Sequence, residues 1–432
     1  QDAAREYEKV RSEKKDFAQG AELLFQLGQT YVALGRLPEA AALFEEATSK
    51  HSSHYLADWA TARRAGCLVN TGKNKEAEEL LKGFLDNYAA GSTPADKTAA
   101  AKAMFQKMEA AGIKAHDAFL SLVERSVFYY ALAQFNQDRF GEARKSFEKF
   151  LDRYPDSPLK DEASFRLAQS YYRQDEFGKA ADAYEPLTGG SGEFAASAGF
   201  ERGLALYKGG KLKESASAFA KMAERFPDNP QAPRARLYSG TFLFESGDFK
   251  GALERLEPVA KAKKESADEA AYWVGMSLLK MGENARAEQA FDEAIAAYQK
   301  SQVAGDMRLG LADARLAQNK LEPAAAAFRQ YAADFEKSEQ APRALYSACA
   351  ALHRADKYVD SDELCGTFLD TYGKHELAWQ AIFLSGENRF LLKRYDRAAE
   401  RYTEFLAKGG KAADRVARAH YRSQINYSDH NL

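Results

Sequence analysis

Small residues recur along this chain in a fixed register, each followed one helical turn later by a large apolar side chain. Aligned on RLPEAAALF (36–44), RFGEARKSF (139–147), EFGKAADAY (176–184) and RYDRAAERY (394–402), the register falls at Ala40, Ala77, Ala143, Ala180, Ser215, Ala252, Ala287, Ala324, Ser361 and Ala398. The intervals are 37, 66, 37, 35, 37, 35, 37, 37 and 37 residues. Twelve residues before each anchor stands a second small residue: Gly28, Ala65, Ala131, Ala168, Gly203, Gly240, Gly275, Ala312, Cys349 and Gly386. Four residues after it stands Phe44, Leu81, Phe147, Tyr184, Phe219, Leu256, Phe291, Phe328, Cys365 or Tyr402. Helices approach closely only where the side chains at the crossing are small, and residues four apart share one helix face. The pattern therefore predicts helix pairs with a tight built-in crossing and large side chains filling the core.

Gly35, Gly72, Gly210, Gly247 and Gly282 fall between the two small positions, where a residue of positive φ closes the first helix of a pair. Between pairs, Ser157-Pro158 and Asn229-Pro230 read as a capping residue followed by Pro at the first helical position. The 66-residue interval holds about 29 residues too many. Segment 89–119 carries them, as a Gly/Ser/Thr/Pro loop and an added amphipathic helix. Pro186 with TGGSG (188–192), and Pro258 further on, are expected to cut the second helix of their pairs short, because Pro removes a helix hydrogen bond.

The stretch LLFQLGQTYVALGRLPEAAALF (23–44), with Leu24, Leu27, Gly28, Tyr31, Ala40 and Phe44 at matching places, resembles the tetratricopeptide repeat family. The period near 37 exceeds the family norm of about 34. Linkers such as YPDSP (154–158) and FPDNP (226–230) look like those of bacterial envelope members, namely outer-membrane assembly lipoproteins and Tol-Pal-associated coordinators. The resemblance implies an all-α, right-handed superhelical solenoid of about ten antiparallel helix pairs. The expected organisation is one solenoid over 1–432: an N-terminal helix or cap (1–20), repeats 1–2 (21–88), the insertion (89–119), repeats 3–10 (120–410) and a C-terminal capping or truncated helix (411–432).

Composition narrows the function. Lys+Arg at 61 against Asp+Glu at 63 leaves a net charge of −2, with both signs mixed along the chain. Nucleic acid is not expected as a partner, since no like-charge block is long enough to follow a phosphate backbone. No apolar run reaches the roughly 18 residues of a membrane span. The chain begins at Gln1, so a signal sequence or lipid anchor would lie upstream. Cys67, Cys349 and Cys365 show no CxxC spacing, which excludes a thiolate metal site, and one disulfide at most is open to them. A phosphate-cradling glycine loop, a metal-binding helix motif, a nucleophile elbow and kinase signatures are all missing from the sequence. His51 and His54 read as loop residues; no catalytic residue, metal or cofactor is expected.

In the family that this chain resembles, the first helix of each pair lines the concave surface. Fifteen residues before each anchor stand Phe25, Ala62, Phe128, Phe165, Phe200, Leu237, Tyr272, Leu309, Tyr346 and Phe383. Eight before stand Val32, Val69, Phe135, Tyr172, Tyr207, Phe244, Leu279, Leu316, His353 and Phe390. Aromatic rings bury much area at little entropic cost, so Phe128, Phe135, Phe165, Tyr172, Phe200, Tyr207, Phe244 and Tyr272 form the candidate protein-binding groove, with inter-repeat core as the competing reading. Family members that hold a partner's C-terminal carboxylate use Lys and Asn here, and the first row contains no basic residue. The expected activity is a non-catalytic scaffold for other proteins or peptides, periplasmic or outer-membrane-associated. The alternatives are a cytoplasmic adaptor or regulator and the recruiting arm of a larger enzyme. Oligomeric state is not legible.

Overall fold

In the computed structural model the described residues are 2–13, 19–88, 92–408, 415, 416, 418–420 and 422. Among them are twenty-two α-helices, one 3-10 turn at Pro94–Asp96 and no strand. The helices are α1 (Asp2–Glu13), α2 (Gly20–Ala33), α3 (Leu37–Lys50), α4 (Ala57–Asn70), α5 (Asn74–Tyr88), α6 (Ala99–Ala110), α7 (Ala115–Asn136), α8 (Phe140–Arg153), α9 (Lys160–Arg173), α10 (Phe177–Thr188) and α11 (Ala195–Lys208). They continue as α12 (Leu212–Arg225), α13 (Ala232–Glu245), α14 (Phe249–Lys261), α15 (Ala267–Lys280), α16 (Asn284–Ala297), α17 (Ala304–Ala317), α18 (Leu321–Asp334), α19 (Ala341–Arg354), α20 (Tyr358–Tyr372), α21 (Ala378–Leu391) and α22 (Tyr395–Ala407).

Ten helix pairs result, α2/α3, α4/α5 and then α7/α8 onward to α21/α22, each with its predicted anchor in the second helix. The helices gather into two compact units, residues 1–222 and 223–432, the division falling inside α12. Residues 14–18 of the predicted N-terminal cap, and most of the predicted helix over 411–432, lie outside the described residues.

The two small positions act together. A Cβ built on Gly28, Gly203, Gly240, Gly275 or Gly386 would come within 2.3–2.8 Å of the side chain four residues after the anchor of the same pair. Glycine is thus the room made for that ring or leucine. In the ninth pair the relation inverts: Cys349 is larger than Gly or Ala, and its counterpart shrinks to Cys365, both fully buried. The two serine anchors are satisfied locally, Ser215 Oγ donating to the Gly203 carbonyl at 2.7 Å and Ser361 Oγ to the Cys349 carbonyl at 2.8 Å. A buried hydroxyl needs such a partner.

Every turn within a pair has one residue in the left-handed region, five residues before the anchor. Five are the predicted glycines, with φ between 74° and 82°. The others are Asp138, Asp175, Asn319, Asp356 and Lys393, with φ between 57° and 62°. The next amide bonds back to the first helix, as Arg36 N to Tyr31 O at 2.8 Å and Arg139 N to Gln134 O at 3.1 Å, satisfying carbonyls that the helix end leaves free.

The linkers between pairs correct one expectation. Pro158 and Pro230 precede their helices instead of opening them, and α9 and α13 begin at Lys160 and Ala232. Ser157 Oγ accepts from Leu159 N at 3.0 Å and Asn229 Oδ1 from Gln231 N at 2.9 Å, so these residues fold a turn ahead of the helix. His54 and His375 do the same, through Nδ1, for Leu56 and Leu377. Pro186 and Pro258 lie inside α10 and α14, and both helices end soon after them, as expected, at 12 and 13 residues. Each sits near the C-terminal end of its helix, with only two or three helical residues following.

The added segment folds as the 3-10 turn, α6 and an elongated α7 of 22 residues, so residue 119 falls inside a helix. Thr98 caps α6 by accepting from Ala101 N at 3.1 Å. Phe119, fully buried, gathers Phe105 of α6 at 6.5 Å, Trp59 at 5.2 Å, Tyr88 at 5.0 Å and Phe84 at 6.0 Å. The insertion is thereby pinned to the second pair. Among the described residues no helix is long and apolar enough to cross a membrane.

Candidate protein-binding surface

The two aromatic rows occupy different places. Phe128, Phe165 and Phe200 are interior, 2%, 7% and 5% exposed, which corrects their assignment to a binding groove. Phe128 packs against Phe147 and Phe150 (5.9 and 5.7 Å), Phe165 against Tyr184 (5.5 Å) and Phe200 against Phe219 (5.1 Å). The first row thus faces the second helix of its own pair. Tyr272 is half-buried, 6.4 Å from Phe291 and 5.1 Å from Trp273, and burial raises its phenol pKa.

Phe135, Tyr172, Tyr207 and Phe244 are half-buried at the ends of first helices. Phe135 meets Phe140 edge-on at 5.3 Å, Tyr172 meets Phe177 at 5.3 Å and Phe244 meets Phe249 at 5.2 Å. The partner is each time the first residue of the second helix, so the rings clasp the turn. Phe390 with Tyr395 (5.4 Å) and His353 with Tyr358 (5.6 Å) repeat the clasp. A third group closes from the following pair: the Arg166 guanidinium lies 5.6 Å from the Phe135 ring, and Trp273 lies 4.9 Å from Phe244. Edge-on and cation–π contacts each add a fraction of a kcal/mol to about 1.5 kcal/mol.

This third group belongs to a row that periodicity did not single out, fourteen residues before the anchor: Arg63, Tyr129, Arg166, Glu201, Tyr238 and Trp273, all half-buried. Its signal in the sequence is size and charge at a position next to the buried aromatic row. Burial raises the Glu201 carboxyl above its usual range. Asp313, eleven before its anchor, is also raised by burial, with Arg343 and Lys280 opposing the shift. Among the described residues no group of His, Cys, Asp and Glu is arranged to hold a metal.

The tetratricopeptide repeat model matches in overlapping segments, 1–53, 25–92, 130–191, 165–230, 200–266, 239–302 and 275–342. The chain belongs to the tetratricopeptide repeat family. The matches pause over 93–129, where α6 and the extra turns of α7 interrupt the repeat. Solved structures with a similar fold include one of Naa15/Naa10 bound to HypK-THB, at 15% identity and TM-score 0.44, covering 95% of this chain and 61% of that one. The C-terminal part of a repeat-containing protein from Cytophaga hutchinsonii (16%, TM-score 0.40) covers 67% of this chain and 98% of its own. A tetratricopeptide protein from Parabacteroides merdae (14%, TM-score 0.33) covers 69% and 98%. No curated protein sequence matches the chain. The tetratricopeptide family supports a role as a scaffold for binding other proteins or peptides.

Proposed function

We propose that this tetratricopeptide chain organises other proteins at the bacterial cell envelope, in the periplasm or on the outer membrane, and grips them through the exposed edges of its first-helix aromatic row. The observation that carries the binding mode is the clasp. Phe135 and Tyr172 are each fixed by a neighbouring ring, and a partner meeting a fixed ring loses little side-chain freedom on binding. The linkers YPDSP and FPDNP support the envelope assignment through their likeness to those of envelope members.

The test is affinity capture from an envelope extract with the native chain and with Phe135→Ala plus Tyr172→Ala, helicity being matched by circular dichroism. A partner recovered at least tenfold less by the folded double variant supports the surface; equal recovery refutes it. Fractionation with an antibody to the native protein decides the location, and a purely cytosolic signal rejects the envelope assignment.

A further inference from the structure

We propose that Cys349 and Cys365 are an oxidation site, a disulfide that staples α19 to α20 when the chain folds in an oxidising compartment; the bond rests on the geometry of the ninth pair, and only its formation in the cell rests on the envelope reading. The site lies within the second unit. The chain has three cysteines, and two of them stand at the two positions whose side chains meet at a helix crossing, twelve residues before the anchor and four after it. Both are fully buried and pack with Leu384 of the next pair.

The crossing has the spacing that a disulfide needs, which is Cβ atoms about 3.5–4.5 Å apart. In the sixth pair a Cβ on Gly240 would lie 2.3 Å from Cγ of Leu256. One further carbon–carbon bond of about 1.5 Å puts the two Cβ positions no more than about 3.8 Å apart. Leu Cγ occupies the place where a cysteine carries its sulfur. The ninth pair keeps a close approach although a Cβ now fills its first position: Ser361 Oγ donates to the Cys349 carbonyl at 2.8 Å, against 2.7 Å for Ser215 and Gly203 in the fifth pair. With the ring or leucine of the other pairs gone, the sulfurs meet across the crossing, and the neighbouring Cys349 thiol, together with burial, raises the Cys365 thiol. The bridge replaces one weak bond, from Cys349 Sγ to the Leu345 carbonyl at 3.2 Å.

The oxidant is a disulfide, as in oxidised glutathione. One cysteine thiolate attacks it, forming a mixed disulfide and releasing one small thiol; the other thiolate then attacks the protein sulfur of that mixed disulfide, forms the Cys349–Cys365 bond and releases the second. Each cysteine gives up one proton, the pair gives up two electrons, and the oxidant leaves as two thiols. Both sulfurs are fully buried once the pair has closed, so exchange occurs while α19 and α20 are still coming together. The bond then closes the loop over 350–364 and restricts the unfolded chain.

The test unfolds and reduces the full chain, refolds it with reduced and oxidised glutathione, quenches with acid and alkylates in denaturant. Adducts are counted by mass and placed by peptide mapping. One adduct, on Cys67, before reduction and three after it are expected, with Cys365 becoming alkylatable in Cys349→Ala. Three adducts on the refolded chain, a bridge to Cys67, or glutathione held on one sulfur overturns the site. The urea midpoint of the bridged chain is expected above that of the same chain reduced; an equal or lower midpoint overturns the staple, since the bridge then strains the crossing. Alkylation during cell lysis separates the two readings. A bridge that forms in vitro but is absent from the cell rejects the envelope assignment and leaves the site standing, whereas no bridge in vitro rejects the site and leaves the envelope assignment untouched.

Discussion

The junction of α4 with α7 and the regular step from α15/α16 to α17/α18 meet the same packing demand with different electrostatics. In the regular step, Phe291 lies beneath two glycines: a Cβ on Gly275 would sit 2.5 Å from its ring and one on Gly310 2.4 Å. Beside it the Glu288 carboxylate accepts from Lys320 at 2.5 Å, Gln318 at 2.8 Å and Arg315 at 3.0 Å. At the α4–α7 junction a glycine again admits a ring, Gly66 Cβ falling 3.0 Å from Tyr129, but among the described residues Arg63 has no ion pair and its Nε no hydrogen-bond partner. Close packing is common to both places; Glu288 has its charge compensated and Arg63 does not.

Removing the shared packing element has the largest expected effect. Phe291→Ala empties a fully buried site between two helices that glycines have brought close, and is expected to lower stability by about 3–5 kcal/mol. Urea unfolding followed by circular dichroism measures it. A loss below about 1 kcal/mol means that the helices collapse onto the space and that the glycines do not fix their spacing.

Glu288 sharpens the electrostatic half. Lys320 foremost, then Gln318 and Arg315, hold its carboxyl down to about 2 in the folded chain. A depressed folded pKa means that its stabilisation is fully present above the ordinary carboxylate range near 4.5 and is lost as pH falls from there through about 2. After solvent screening the contribution is about 1–2 kcal/mol. Glu288→Gln is expected to lose that amount at pH 7 and to remove the corresponding acid-side slope of stability; an unchanged slope assigns it to other carboxylates.

Arg63→Met reverses the sign. Replacing an uncompensated cation with an apolar side chain of similar length is expected to raise the stability of the chain by about 1 kcal/mol. Arg64→Met, which breaks pairs with Glu45 and Glu76, is expected to lower it. Thermal melts of the two neighbours, measured together, separate these cases. If both variants are destabilised alike, Arg63 has a counter-charge and the contrast between the two junctions disappears.

The pairs, their register and the tight small-to-large crossings were legible because each rests on spacing within about thirty residues. Burial of Phe128, Phe165 and Phe200 was not, since two rows seven residues apart both carry rings and period alone does not say which one meets the second helix. The cavity between α4 and α7, lined by Arg63 and Arg125, was hidden for another reason. Its arginines come from different pairs, on either side of the one interval that breaks the register, so no repeat alignment sets them side by side. Five of the ten left-handed turn residues also escaped notice, being Asp, Asn or Lys instead of Gly.

Those turns supply the smallest test and ask whether the difference between the two regions reaches the backbone. The third pair, which begins with α7, turns on Asp138 at φ 58°, and the seventh turns on Gly282 at φ 77°. Left-handed backbone strains a residue with a Cβ by about 1 kcal/mol, less for Asp and Asn, and part of any gain from Gly is offset by its greater freedom in the unfolded chain. Asp138→Gly is therefore expected to raise stability by about 0.5 kcal/mol and Gly282→Asp to lower it by a similar amount, read as opposite shifts in urea midpoint. The Asp138 side chain contributes little, since its contact with Arg173 is 4.0 Å long and exposed on both sides. Equal and opposite shifts mean that the two turns are interchangeable and that the regions differ only in side-chain charge. A loss on Asp138→Gly gives the aspartate a partner in the turn and extends the difference to the backbone.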